Sequence, residues 1–166
     1  MIRTIAIGFA ALILSAGARG AALDLDKIAG LYVSGFMNGN IEGHRYWSDD
    51  ALEIVKLSPA TAYFRTHLEF FNGHLCSLWG VAGVEGQSLV YRQPELQCVL
   101  RLDVAGGKIS LADEGEHCRV QTCGNRGMYD REAFSLKSRR PIRYMQKLLA
   151  SEQYLSALKE YRSRQP

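Results

Sequence analysis

Turn-forming residues divide the central part of this chain into short segments, and their spacing restricts the fold more than any other feature. Between Leu31 and Phe134, glycine, asparagine and aspartate recur every eight to twelve residues. The intervening segments are rich in β-branched and aromatic residues, and one ends at Asn72-Gly73, a dipeptide typical of tight hairpins. This spacing favours an antiparallel sandwich or barrel. We predict strands at 31–37, 46–47, 52–57, 61–71, 75–84, 88–92, 98–104, 109–111 and 127–129.

About eight short strands predict a mainly β fold, as a small antiparallel barrel or a strongly curved sheet, with a C-terminal helix. Helical periodicity begins only at Pro141. Two apolar stripes follow, and Ser151 lies between them in a position suited to cap a helix, so we expect a bent helix or two short ones whose apolar side closes the barrel. The stripes comprise Ile142, Met145, Leu148 and Leu149, then Tyr154, Leu155, Leu158 and Tyr161.

The N-terminal segment, 1–22, has the composition of a secretory signal peptide. A basic residue precedes an apolar run from Ile5 to Leu14, and alanine and glycine dominate the residues after it. The run is shorter than a membrane-spanning helix requires. We therefore expect cleavage after Ala18, Gly20 or Ala22, a periplasmic or secreted protein, and no stable membrane anchor; retention of the segment as an anchor is the alternative.

The chain beyond this leader, about 144 residues, is long enough for one domain with a substantial core. We divide it into a β-barrel-like domain at 23–136 and a basic helical segment at 137–166 packed on that domain. The first part carries 10 basic and 15 acidic residues, and the second carries 8 basic and 2 acidic ones. We expect the basic segment to lie against the acidic domain. The alternative is that each surface meets its own partner, the basic one an anionic lipid or acidic polymer. Nucleic acid is not expected as a partner of an exported protein.

Four cysteines follow the leader, and in an oxidising compartment an even number favours disulfides. Three pairings are possible, and we expect Cys118–Cys123 and Cys76–Cys98. The first pair brackets only four residues, which a tight turn can bring within bridging distance. The second pair closes a loop of medium length.

A zinc site is the competing interpretation of these cysteines, with His74 and His117 as additional ligands. The spacing matches no standard zinc module, and adjacent residues such as His117 and Cys118 rarely face one ion together. We therefore predict neither a metal nor another cofactor.

Catalytic motifs are not evident in the chain. It has no Gly-x-Ser-x-Gly sequence, no phosphate-binding glycine loop and no His-Glu-x-x-His sequence. Asp49-Asp50 is interpreted as a loop or a cap, because adjacent strand residues face opposite sides. We assign no catalytic residue. The histidines, on separate segments, are His44, His67, His74 and His117.

The segment from Cys118 to Gly127 is the best candidate for a binding loop. Glycines flank Asn125-Arg126, and a disulfide near the base would limit the conformational entropy that the loop loses on binding. Arginine is suited to carboxylate or phosphate partners. We predict Asn125, Arg126 and His74 as binding residues; the alternative is that Arg126 pairs with an acid of its own domain, such as Asp113 or Glu116.

Three motifs resemble known exported proteins. Gly30-Leu31-Tyr32 resembles the Gly-x-Trp motif that opens the barrel of calycins, the group that contains lipocalins. Residues 34–38, Ser-Gly-Phe-Met-Asn, share the first half of the Ser-Gly-x-x-Tyr recognition pattern of small bacterial barrels that inhibit lysozymes. Asn72-Gly73-His74-x-Cys76 with Cys123-Gly124-x-Arg126-Gly127 resembles exported bacterial proteins of unknown function.

These features together predict a binding or inhibitory module of the bacterial periplasm without catalytic activity. The expected partner is a periplasmic or extracellular protein, and an inhibitor of a basic cell-wall hydrolase fits the acidic β-domain. The alternatives are a lipocalin-like carrier of a small apolar ligand, which needs a partly empty barrel, and an enzyme of unrecognised type.

Overall fold

Eight antiparallel strands form a nearly closed barrel in the computed structural model, which describes residues 22–130 and 132–165. Each strand pairs with the next one along the chain, so the connections are hairpins or short excursions. The predicted mainly β class and the C-terminal helix are confirmed. The strands are β1 (Gly30–Gly39), β2 (Arg45–Lys56), β3 (Thr61–Phe70), β4 (His74–Glu85), β5 (Ser88–Gln93), β6 (Cys98–Ala105), β7 (Lys108–Asp113) and β8 (Ala133–Ser135).

Two strand predictions are corrected. The predicted segments 46–47 and 52–57 form one strand, β2, which ends at Lys56, one residue before the predicted end. Ser48 and Asp50 between them are buried and hydrogen bonded rather than exposed in a loop. Residues 127–129 are not a strand. Gly127 instead packs against the sulfur of Cys76, where a β-carbon would not fit.

Side chains that alternate along the strands fill the inside of the barrel. Tyr32, Phe64 and Phe134 are among the largest of these buried residues. A short helix, α1 (Leu25–Ile28), adds Leu25 and Ile28 to the same core. The hydroxyl of Tyr32 donates a hydrogen bond to the carbonyl of Ile28 at 2.7 Å. This helix therefore closes the end of the barrel where β1 begins, which we call the lower end.

Helices and a loop cover the seam between β4 and β5. These strands pair only over Gly83–Glu85 on the β4 side, so most of β4 has no β-strand partner there. The helix α2 (His117–Thr122) lies near the upper part of β4, and the amide of Gly124 donates to the carbonyl of Leu75 at 2.9 Å. Lower on the seam, Ala157 of α4 (Glu152–Ser163) shares an apolar cluster with the β4 residue Val81.

The C-terminal segment packs on the outer wall of the barrel rather than over its mouth. It contains two short helices, α3 (Met145–Leu149) and α4, as predicted, but the predicted apolar stripes are only partly buried: Ile142 precedes α3, and Leu149 and Leu155 are exposed. The hydroxyl of Ser151 caps α4 by accepting from the amide of Tyr154 at 3.3 Å, as predicted. Arg164, at the end of α4, donates to the carbonyl of Arg92 on β5 at 2.7 Å.

All four cysteines form disulfides, but the pairs are Cys76–Cys123 and Cys98–Cys118, so the predicted pairing is wrong. The Cα–Cα distances are 4.0 and 4.6 Å. The expected tight turn between Cys118 and Cys123 is instead α2. Cys118 lies in the first turn of this helix and Cys123 follows it in an extended conformation, and the two side chains face different strands, β6 and β4.

The predicted signal peptide, 1–22, lies outside the described residues except for Ala22. Within 22–130 and 132–165, no helix is long and apolar enough to cross a membrane.

Candidate functional site

The seam between β1 and β8 remains open over most of its length. At the lower end, Leu31 and Arg140 exchange two backbone hydrogen bonds, of 2.8 and 2.9 Å. The β1–β2 register is continuous, so alternate residues of β1 direct their N–H and C=O groups away from β2, as Leu31 does. These residues are Val33, Gly35 and Met37. Among the described residues, none pairs with their backbone groups.

A cleft of about 450 Å³ occupies the upper part of this open seam. Its walls come from three consecutive strands, the turn after β3 and the segment that precedes β8. Aromatic rings and carboxylates therefore meet in one concave site where the interior of the barrel reaches the surface. The lining residues are Ser34, Phe36, Asn38, Asp50, Glu69, Phe70, Phe71 and Glu132.

Hydrogen bonds fix one wall of the cleft. The side-chain amide of Asn38 donates to Ser48 Oγ at 3.0 Å and to the carbonyl of Phe70 at 3.2 Å. The hydroxyl of Ser48 in turn donates to Glu69 Oε2 at 2.5 Å. This network joins β1, β2 and β3, so the wall is preorganised before any ligand arrives.

Asp50 is the most buried acid of the cleft, with 7% of its surface exposed. The β2–β3 pairing ends at Ala51 and His67, and beyond that point Asp50 Oδ1 accepts the amide hydrogen of Glu69 at 2.7 Å. Within the described part of the chain, no donor reaches Oδ2. Burial raises the pKa of Asp50, and the hydrogen bond from Glu69 opposes this effect.

Glu132 faces the same cleft from the segment before β8. Its carboxylate has no hydrogen-bond donor or cation within 22–130 and 132–165. Burial raises the pKa of Glu132, and the negative charge of Asp50 raises it further. Among the described residues, no arginine or lysine pairs with either carboxylate, and His67, 3.5 Å from Glu69, opposes the raised pKa of Asp50 only as one of the smaller effects. Two neighbouring carboxylates in this setting favour a cationic group supplied from outside.

The predicted binding loop lies beside the cleft. The guanidinium of Arg126 stacks over the ring of Phe71, 5.3 Å from its centroid, and Phe71 belongs to the cleft wall. Arg126 does not pair with Asp113 or Glu116. Both acids contact Arg119 instead. The backbone amide of Arg119 donates to Asp113 Oδ2 at 2.7 Å, and its guanidinium lies 3.1 Å from Glu116 Oε2.

The other two predicted binding residues lie near this end of the barrel but do not line the cleft. His74 packs so closely on Gly124 that a β-carbon there would lie 2.7 Å from His74 Nδ1. The carbonyl of Asn125 accepts a hydrogen bond from Arg119 at 3.4 Å. A binding role for these residues stays a prediction.

The sequence did not identify the carboxylates of the cleft. Asp50 was interpreted as part of a loop or a cap, although its two-residue spacing from Ser48 on a strand indicates that both share one face. Glu69 and Glu132 carry no comparable signal, because their proximity depends on how distant strands meet.

A larger cavity, of about 510 Å³, lies between β3 and the C-terminal helices, and among the described residues its lining contains no carboxylate. Arg65 forms a two-pronged ion pair with the buried Glu53, and the hydroxyl of Tyr144 also donates to that carboxylate. Burial raises the pKa of Tyr144 to about 12, and the hydrogen bond to Glu53 adds to this effect. This cavity therefore lacks the carboxylates that line the cleft in the open seam.

Metal ligation gains no support at either place. No group of three or more histidine, cysteine, aspartate or glutamate residues within the described ranges is arranged to hold an ion. No protein-family model, curated protein or solved structure matches this chain.

Proposed function

We propose that this protein is an exported binding module that holds a basic surface of a partner protein in the acidic cleft, as an inhibitor of a basic cell-wall hydrolase does. The observation that carries the proposal is the pair Asp50 and Glu132, two buried or half-buried carboxylates that no arginine or lysine of the described residues contacts, set among phenylalanine rings. A lysine or arginine of a partner supplies the missing charge, and its aliphatic stem packs on the rings.

The charge distribution supports a basic partner. Residues 23–136 have a net charge of −5, counted without histidine. Residues 137–166 carry a net charge of +6 and pack on this domain, so the attraction for a cationic partner is local to the acidic cleft and does not come from the net charge of the chain.

The two disulfides support export, because bonds of this kind form and persist in oxidising compartments. They agree with the predicted leader. A periplasmic or extracellular location also places the protein where cell-wall hydrolases act.

The packing of the barrel favours a binding surface over a carrier. Tyr32, Phe64, Tyr91, Leu100 and Phe134 occupy the interior where a lipocalin-like protein holds its ligand. The cleft that does reach the surface is lined by three acids, which suit a cation better than an apolar molecule.

Binding and inhibition of a basic c-type lysozyme test this proposal directly. Binding is measured by calorimetry and inhibition by cell-wall lysis, with the oxidised protein in molar excess. We expect Asp50→Asn and Glu132→Gln each to weaken binding about ten-fold. Asparagine retains the acceptor for the Glu69 amide, so the first variant preserves the local structure.

Glu114→Gln is the matched control, because it removes the same charge from an exposed side chain outside the cleft. Equal effects of all three variants would show that binding depends on total acidic charge and not on the cleft. No binding of lysozyme or of other basic hydrolases in a panel would remove the proposal.

A further inference from the structure

We infer that the partner binds as an extended strand along the open edge of β1, with basic side chains at alternate positions in the cleft. This inference rests on the proposed function and adds the conformation and the sequence pattern of the bound segment.

The open edge offers a continuous set of backbone groups. Val33, Gly35 and Met37 each direct one donor and one acceptor into the seam, and within the described ranges these groups have no backbone partner. An extended segment is the structure that pairs with such a row. At the lower end, Arg140 already pairs with Leu31 in antiparallel fashion, so an antiparallel guest continues existing pairing.

The composition of β1 leaves this edge unprotected. Exposed edge strands are usually blocked by charged residues, proline or a bulge. The ten residues of β1 include no charged residue and no proline, and the continuous register excludes a bulge. By contrast, the edge of β4 is covered by Gly124 and by α4.

The surfaces on the two sides of the bound strand determine which residue types alternate in its sequence. Directly opposite residues of antiparallel strands share a face. Guest residues opposite Ser34 and Phe36 therefore face the cleft, where Asp50 and Glu132 favour a basic side chain.

Guest residues opposite Val33, Gly35 and Met37 face outward, onto a surface made mainly by Trp47 and Met37. The one carboxylate there, that of Asp49, already accepts a hydrogen bond from the Trp47 indole at 3.1 Å. The indole of Trp47 lies across Gly35, where a β-carbon would come within 2.5 Å of Trp47 Cζ2, and the side chain is 64% exposed. Met37 lies beside it in the β1–β2 register and is half exposed. A segment in which basic and apolar residues alternate fits both faces.

An octapeptide of alternating valine and lysine, acetylated and amidated, tests this pattern by calorimetry on the oxidised protein. The control is a peptide of the same composition with four valines followed by four lysines. We expect the alternating peptide to bind at least about ten-fold more tightly, because only it presents one residue type to each face. Equal affinities would overturn the inferred pattern.

Backbone methylation of the alternating peptide tests strand pairing itself. In the antiparallel arrangement, the valine amides face β1 and the lysine amides face away. We expect methylation of one central valine nitrogen to weaken binding about five-fold more than methylation of one central lysine nitrogen. Equal effects of the two methylations would overturn strand addition to β1.

Variants at the edge provide the reciprocal test. Met37→Pro removes one N–H that faces the seam, and proline is tolerated at such an edge position. Met37→Ala removes the same side chain but keeps the N–H. We expect the proline variant to bind the alternating peptide about five-fold more weakly than the alanine variant, with both unfolding at similar temperatures.

The outcomes separate this inference from the proposed function. If Asp50→Asn weakens lysozyme binding while neither methylation nor Met37→Pro has a selective effect, the cleft binds a basic partner but not as a strand. If sedimentation shows a dimer that Met37→Pro dissociates, the occupant of the edge is a second copy and the inference is wrong.

Discussion

At the scale of the residue, Glu132 is expected to destabilise the fold in its ionised form. Because its pKa is raised in the folded state, the native protein binds a proton more readily than the unfolded chain, and stability falls as pH rises from the unfolded pKa through the raised native pKa. Glu132→Gln therefore raises the melting temperature at pH 7, by about 2 °C. The difference disappears below about pH 4, where both states are protonated.

Thermal unfolding of Glu132→Gln and the wild-type protein across this pH range provides the measurement. Glu114→Gln, at an exposed position, serves as control and should leave the melting temperature unchanged. A lower melting temperature for Glu132→Gln at pH 7 would contradict the assignment of Glu132 as an unpaired acid.

Tyr63 provides a second prediction for a single residue. Its hydroxyl is buried without a hydrogen-bond partner in the described structure, and burial raises its pKa. Its ring packs edge-on against Tyr154 at 5.0 Å, a contact that phenylalanine retains. Tyr63→Phe should therefore stabilise the protein by about 1 kcal/mol in denaturant unfolding.

Tyr32→Phe is the matched comparison, because the Tyr32 hydroxyl does have a partner, the carbonyl of Ile28. This variant should lose about 1 kcal/mol. The same sign for both variants would show that the hydroxyl environments do not differ as described.

At the scale of the element, the sequence predicts correctly those structures that depend on neighbouring residues. Ser151 correctly predicts the start of α4, because an N-cap needs only a backbone amide two or three residues further along the chain. The helix α2 was not predicted because its six residues are held by groups outside the helix, one nearby in the sequence and two on distant strands. Asp113 accepts the amides of Cys118 and Arg119, and the disulfides join this helix region to β4 and β6.

The disulfides at α2 yield a third prediction. Replacement of both Cys76 and Cys123 by serine should reduce the free energy of unfolding by about 4 kcal/mol, since that bridge spans 47 residues. Replacement of Cys98 and Cys118, which span 20 residues, should reduce it by about 3 kcal/mol. Denaturant unfolding of the oxidised variants measures both effects. Peptide mapping without reduction checks the pairing, and recovery of Cys118 linked to Cys123 would contradict it.

At the scale of the whole molecule, the proposed binding at the cleft should depend on solution conditions. The pKa values of Asp50 and Glu132 are raised, so acidification neutralises these carboxylates at a higher pH than ordinary surface acids. Affinity for a basic c-type lysozyme should fall through that interval and also decrease with added salt. Calorimetry over pH and salt series measures both trends. An affinity that stays constant until ordinary carboxylates protonate would assign the binding to other acids.

The sequence predicted the barrel but not its opening. Strand number and hairpin turns follow from local composition, as at Asn72-Gly73 between β3 and β4. The opening depends on a closure between β1 and β8, which lie at opposite ends of the sheet order. A three-residue β8 leaves most of β1 unpaired, and no local pattern near Val33 or Met37 indicates that length mismatch.

The position of α4 also determines when the residues beneath it can become buried during synthesis. This helix covers the β4–β5 seam and contacts Tyr63 and Val81, residues that leave the ribosome long before it does. While the nascent chain still lacks residues 152–163, those apolar surfaces remain in water. The fold is therefore incomplete until residues 152–163 have been added, and a chain truncated shortly before Glu152 would leave this seam accessible to proteases.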